Sequence, residues 1–511
     1  VLTNALGRIS EHDRHSRDFT NADLRVGLRE ILACFSVYRT YVTCNGEGLT
    51  DRDQRYIEAA VALAARRNPA IDRSVFDFVG RTLLLEDTGR RGAPTDDRCR
   101  FAMKFQQFSG PVMAKGLEDT TFYRYNRLVS LNEVGGDPSR FGIGVDEFHR
   151  QNRARLRSWP DSLLASSTHD TKRSEDVRAR ISVLSEVPTE WRAGLNRWSR
   201  LNRKLKRTID GALAPHRADE YVIYQTLIGT WPLQPLSSAE RADYVTRLQE
   251  YIIKVAREAS RFTNWVNPDE SYETALTEFV AGLISPRRSR LFLEDFTAFV
   301  QQLVPAGMSN ALAQQLLKLT SPGVPDIYQG TEIWDDSLVD PDNRRAVDYS
   351  MRTDLLAHSG TQLIETFAND PTQDALKLTV TARTLGVRKA NPELFAQGVY
   401  TALPVEGPMA SRVVAYARVL GDDVVVIVVS RLVMGITEWE GTTVLLPENI
   451  ARPRYLDAFS ERTIHAVTAE HGGGVHLDVQ ELFATVPVAL LTGMTDARSA
   501  SDETTNRVSH D

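Results

Sequence analysis

The chain has 511 residues, too long for one core and enough for about three domains. Its 42% hydrophobic and 25% charged residues are ordinary for a globular protein, and a formal charge of −6 gives no general attraction for nucleic acid or an acidic membrane. Cys34, Cys44 and Cys99 form no CxxC pair, no disulfide framework and no zinc site, so reduced thiols of a cytoplasmic protein are expected.

No apolar run approaches the ~20 residues that cross a bilayer, and the opening VLTNALGRISEHDRHSRD lacks the apolar centre of a signal peptide. The chain starts at Val1 without a methionine, which fits a processed protein or a piece of a longer one. Residues 1–90 read as helices. TNADLRVGLREILACF has a Thr/Asn start and sets Leu24, Leu28, Ile31 and Leu32 on one face, and TDRDQRYIEAAVALAARR and RSVFDFVGRTLLLED repeat the pattern. Residues 91–175 hold a denser segment of aromatics, glycines and paired charges. It closes on an apolar run, Leu163, Leu164 and Ala165, read as a buried strand ahead of SSTHDTKRSED. Residues 176–300 return to helix; RTIDG continues a basic helical stretch, with Asp210 at a helix end. Trp191, Trp198, Trp231 and Trp265 fall in or beside these amphipathic segments and read as core. Across 301–370 a helix is broken by Pro-Gly, and a short buried strand, PDIY, ends at Tyr328 and Gln329. From 371 to 495 the pattern is β: VVAYARVLGDDVVVIVVS is two runs joined by Gly-Asp-Asp, a hairpin signal, with TTVLLP and ATVPVALL as further strands. Residues 496–511 are polar and expected to be a disordered tail.

Two stretches carry chemistry. In SSTHDTKRSED, Asp170 or Thr171 could cap a helix, with Glu175 and Asp176 near the positive end of its dipole. Alternatively, His169 and Asp170 stand at the carboxyl end of a barrel strand, where catalytic groups gather. The segment GVPDIYQGTEIWDDSLVDPDNRRAVDY mixes rings that stack on sugar faces with carboxylates and amides that meet hydroxyls; a Pro/Asp-rich surface loop has a similar composition.

The second stretch closely resembles the last barrel strand of the α-amylase superfamily, and SSTHD resembles that superfamily's strand-seven signature. GPVMAKGLEDTTFYRYNRLVSLNEVGGDP, STHDTKRSEDVRARISVLSEVP and the early SVYRTYV are similar to a transglycosylating branch of it. The resemblance implies an α/β fold: a (β/α)8 barrel, here with only its later strands, large helical insertions (1–90 and 176–300), later strands and active-site loops (91–175), the last strand region (301–370) and a C-terminal antiparallel β domain (371–495). It implies that the reducing-end α-1,4 bond of a maltooligosaccharide is converted to α-1,1 by a retaining route. By resemblance Asp170 is the third catalytic carboxylate and His169 a hydroxyl donor. Lys115, Glu118, Asp119 and Tyr123 in AKGLEDTTFY lie in a loop beside the pocket, with Lys115 the best candidate for a sugar contact and an internal ion-pair network that fixes the loop as the alternative. Lys172 and Arg173 are placed at the rim, Gln329 at the strand end, and Trp334 either stacks on sugar or fills the barrel top.

The superfamily takes its nucleophilic Asp and acid Glu from earlier strands, in motifs such as GxRxDH, and carries an earlier DxxxNH. None of these occurs here. The expected partner is therefore a maltooligosaccharide or other α-glucan, with no nucleic acid and no membrane, together with an amino-terminal part that supplies the nucleophile and acid. No metal-ligand cluster stands out, so no cofactor is expected. A hydrolase of the same superfamily and a non-catalytic glucan-binding protein are the alternatives.

Overall fold

The computed structural model describes residues 1–494 apart from residue 13 and the stretches 45–47, 87–94, 358–359, 361–363 and 469–473. The tail expected over 496–511 lies outside the described residues. The chain divides into two compact units, Val1–Arg124 and Tyr125–Asp511.

In the first unit the helices Leu2–Glu11, Asn21–Ala33, Asp51–Arg67, Arg73–Leu83 and Thr95–Gly116 share one core. Asn21–Ala33 starts where local chemistry places it. The Thr20 hydroxyl accepts the Asp23 N–H, and the Asp23 carboxylate accepts the Thr20 N–H, so two donors otherwise left over at the helix start are satisfied. Its face of Leu24, Leu28 and Ile31 is buried beside Ile57, Ala60, Val75, Phe76 and Val79. AKGLEDTTFY is not the expected loop: Thr95–Gly116 runs on through a π-helical turn, Leu117–Thr121, into Phe122–Arg124. A π turn absorbs an extra residue without breaking the hydrogen-bond ladder, so the glycine and paired charges do not end the helix. The cysteine expectation is also corrected. Cys44 and Cys99 are joined as a disulfide across 55 residues of sequence, a separation that no short motif announces, while Cys34 is buried and free.

The second unit opens with Val145–Ser158 and a two-residue strand, Leu163–Leu164, followed by the helices Glu175–Ser182, Pro188–Leu201, Arg217–Thr230, Ser238–Ala259, Glu270–Ile284 and Pro286–Thr320. Trp198 is fully buried, with its ring centroid 4.9 Å from Phe296 and 5.4 Å from Phe299, and Trp191 joins the same cluster. Trp231 is half-buried against Phe296. Trp265 departs from the core expectation: it is 51% exposed, with the Arg257 guanidinium 4.9 Å over its ring. It follows the left-handed cap Ser260, so the period of the preceding helix no longer governs it. Asp210 is not at a helix end. It and Gly211 make the tight turn of a hairpin, Arg207–Ile209 with Ala212–Ala214, both at positive φ (49° and 79°). Asp-Gly is a strong hairpin signal that the basic context obscured.

The carboxyl-terminal sheets are antiparallel. One has six strands, ordered Thr463–His465, Arg454–Asp457, Val488–Met494, Asp423–Ser430, Val413–Leu420 and Val399–Ala402; a second has four. The run VVAYARVL shows no alternation because both faces of its strand are covered. Val413, Ala415 and Ala417 pack with Val444, Leu446 and Leu477 of the second sheet, while Val414 and Tyr416 pack with Met308, Leu312 and Leu316 of the helix Pro286–Thr320. These strands begin at Val399, after the helices Asp374–Ala390 and Pro392–Gln397. No helix among the described residues is long and apolar enough to cross a membrane.

Candidate functional site

Among the described residues one strand pair is parallel: Leu163–Leu164 beside Val324–Pro325, tied by N–H groups of Val324 and Asp326 to carbonyls of Ser162 and Leu164, each 2.9 Å. Both strands are shorter and more open than expected, with Leu163 75% and Val324 44% exposed, because each has a neighbour on one side alone. The segments that follow them meet. SSTHD leaves the first strand, and Asp170 and His169 are exposed on its turn. Beyond the second strand, exposed Gln329 precedes a turn at Gly330 (φ 94°), where the Arg352 guanidinium holds the Gly330 carbonyl and Glu332.

Asn343 joins the two motifs. Its side-chain amide donates to the carbonyls of Thr168 (3.2 Å) and His169 (3.1 Å), while the Asn343 backbone carbonyl accepts the Tyr328 hydroxyl at 3.0 Å. Its loop is fixed in turn by Asp342, which takes a two-pronged contact from Arg247 (2.8 and 2.9 Å) and accepts the Leu338 N–H. Burial pushes the Asp342 carboxyl up, but the Arg247 hydrogen bonds and charge outweigh it, so the group stays below its ordinary value.

Asp170 is not a helix cap. Ser174 caps Glu175–Ser182, and Asp170 sits four residues earlier, its N–H bonded to the Thr168 hydroxyl at 3.2 Å. Lys172 and Arg173 are not at a rim: they are 2% and 1% exposed. After Asp170 the chain turns inward because Glu133 accepts the N–H groups of Lys172 (2.8 Å) and Arg173 (3.2 Å). Trp334 is half-buried, its indole N–H donating to the Gln373 carbonyl at 3.0 Å. Lys115, Asp119 and Tyr123 belong to the first unit. Lys115 faces Asp119 at 3.7 Å, one turn apart on the helix surface, while Tyr123 is 3% exposed and buried Glu118 accepts the Tyr38 hydroxyl.

No family model matches the chain. Proteins from two strains of Mycobacterium tuberculosis, assigned as maltooligosyl trehalose synthases, are 39% identical over 414 residues, 81% of this chain and 47% of theirs. The structure of maltooligosyltrehalose synthase from Arthrobacter ramosus is 34% identical, with a TM-score of 0.74, over 96% of this chain and 58% of that one. A further crystal structure of a maltooligosyl trehalose synthase is 27% identical, with a TM-score of 0.67, over 97% and 58%. Over most of its length the chain is similar to maltooligosyl trehalose synthases. It spans about half the length of the curated relatives it matches.

What holds this site together was largely invisible in the sequence. Glu175 and Asp176 do open a helix, as a dipole argument suggests, yet both are buried in an ion cluster with Lys318 and Lys377. Glu133 and Asn343 lay inside the quoted motifs but act on backbone groups 39 and 175 residues away, which spacing does not reveal. Among the described residues no group of His, Cys, Asp and Glu could hold a metal ion.

Burial pushes the Asp335 carboxyl up to about 6 against the hydrogen bonds from Ser337, with repulsion from Asp176 adding to the rise. A carboxyl whose native pKa is raised binds its proton more tightly when folded, so its contribution to stability is lost as pH climbs from about 4 to about 6. Asp335→Asn should therefore stabilise the protein near neutral pH by about 1–2 kcal/mol, less than the full shift because Asp335 is only half-buried, and have little effect near pH 4. Urea unfolding at the two pH values checks this; an equal effect at both would place the carboxyl at an ordinary pKa.

Proposed function

We propose that the chain is part of a glycosyl-rearranging enzyme that converts the reducing-end α-1,4 bond of a maltooligosaccharide into α-1,1 by a retaining route. The observation that carries this is an exposed carboxylate, Asp170, on a turn braced by Asn343 and Glu133, in a chain 39% identical to assigned synthases. In this reading Leu163–Leu164 and Val324–Pro325 are the last strands of a (β/α)8 barrel, and Asp170 stabilises the oxocarbenium-like transition state. His169 and Gln329 contact sugar hydroxyls, and Trp334 closes the barrel top. Buried Lys172 and Arg173 hold the loop rather than the sugar. Lys115, Asp119 and Tyr123, in the first unit, enter this reading as substrate contacts through the resemblance alone.

A retaining enzyme needs a nucleophile and an acid on opposite sides of the scissile bond. We assign both to a segment outside this chain, since no motif within it resembles either. Returning the departing glucose by its C1 hydroxyl also requires water to be excluded while the covalent intermediate lasts. The test is maltopentaose incubated with the chain alone, and with the chain plus the amino-terminal half of the Arthrobacter ramosus relative. Trehalose-capped product is expected only from the pair. Bulk glucose or maltose would indicate a hydrolase, sugar binding without product a glucan-binding protein, and product from the chain alone a nucleophile within it.

A further inference from the structure

We propose that Lys377 is a positioning residue for this site, its buried ammonium neutralising the two carboxylates that seat the Asp170 turn and the loop 335–345. The inference rests on the glycosyl-transfer reading above. Lys377 lies on the helix Asp374–Ala390, is fully buried, and reaches Glu175 at 2.8 Å and both oxygens of Asp176 at 2.8 and 3.0 Å. Each carboxylate serves a different motif. Glu175 accepts the Ser166 hydroxyl, and its N–H donates to the Ser167 hydroxyl at 2.9 Å, both within SSTHD. Asp176 accepts the Asp335 N–H at 2.8 Å, at the head of the other loop. Lys318 adds a second cation at 3.1 Å, on Glu175.

A buried ion cluster of this size is a poor source of stability, because desolvation offsets much of the attraction. What it supplies is position: with the ammonium in place, both carboxylates stay paired where they meet the two loops. Without Lys377, the buried Asp176 is the group left without its main counter-charge. It faces Glu175 and Arg180 on its own helix, Lys318 on Pro286–Thr320, Asp374 on the Lys377 helix, and Asp335 in the loop. Burial already pushes its carboxyl up, and Lys377 is the largest influence opposing that rise. Removing the ammonium should leave Asp176 protonated at mildly acid pH, still able to accept the Asp335 N–H. As pH rises it becomes an unpaired buried anion, and the loops separate.

The test uses K377M, K377R and K377M/D176N. In the chain itself, hydrogen exchange of residues 166–173 and 335–345 should rise about tenfold in K377M near pH 7.5 and less near pH 5.5, with 413–430 unchanged. K377R should stay near the parent, and K377M/D176N, which removes one charge of each sign, should return both loops to parental exchange. On the form of the protein that makes product, K377M should lower kcat increasingly as pH rises and cut the ratio of trehalose-capped product to free glucose, with KM little changed. Parental exchange in K377M, or a rise spread evenly over the unit, overturns the proposal, as does a parental product ratio and pH profile. Should K377M fail to fold, K377M/D176N carries the test, and raised exchange in its two loops overturns it. A parent that forms no trehalose-capped product would overturn the glycosyl-transfer reading instead, and the exchange result would still decide the tether.

Discussion

Replacing Asp170 by asparagine should lower kcat by at least ~10³ with the fold intact, the size expected for one preorganised charge acting on a transition state. The side chain stands exposed on its turn, and the turn is held through backbone atoms: the Asp170 N–H on Thr168, and the Thr168 and His169 carbonyls on Asn343. The substitution therefore removes a charge without removing a brace. Turnover of maltopentaose by the product-forming protein is the measurement, with the unfolding curve of the variant as control. Activity within a few-fold of the parent would make Asp170 an ordinary surface acid.

Glu133→Ala should do the opposite, damaging fold and activity together. Its carboxylate accepts the N–H groups of Lys172 and Arg173, two buried residues, and lies 3.7 Å from Arg178. Alanine leaves both donors without an acceptor, at a cost of about 1–3 kcal/mol each, or about 2–6 kcal/mol for the pair. Glu133→Gln keeps an acceptor oxygen and should recover part of this. The measurement is the urea midpoint of both variants. A loss in the alanine variant no larger than an exposed substitution gives would mean that water or another side chain reaches those N–H groups.

The sequence reveals what is local. Asn21–Ala33 was legible because its period and its capping box are written in adjacent residues, and the hairpin Val413–Leu420 with Asp423–Ser430 because two β-rich runs flank a turn. The Thr-His-Asp and Asp-Pro-Asp-Asn-Arg-Arg strings were legible as motifs. The physical job of Asn343, which staples one to the other, depends on residues 174 and 175 positions apart and could not be read. Lys377, 202 residues from Glu175, sits on a helix at the start of a stretch that reads as β, so nothing local marked it. The Asp210 turn and the Cys44–Cys99 bond were misread for opposite reasons: a local signal was overridden by its neighbours, and a long-range bond left no local signal.

The helix Pro286–Thr320 has a thermodynamic consequence. From Arg290, just past the non-helical Ser289, to Thr320 it runs about 45 Å at 1.5 Å per residue. Phe292, Phe296 and Phe299 lie in the tryptophan cluster near one end, Leu312 and Leu316 under the six-stranded sheet near the other, and Lys318 is in the ion cluster. A rod embedded in two apolar cores cannot fray from one without exposing surface in the other. The cores it spans are thereby joined into one cooperative block, and the ion cluster beneath Asp170 takes its rigidity from that whole block rather than from its own loop.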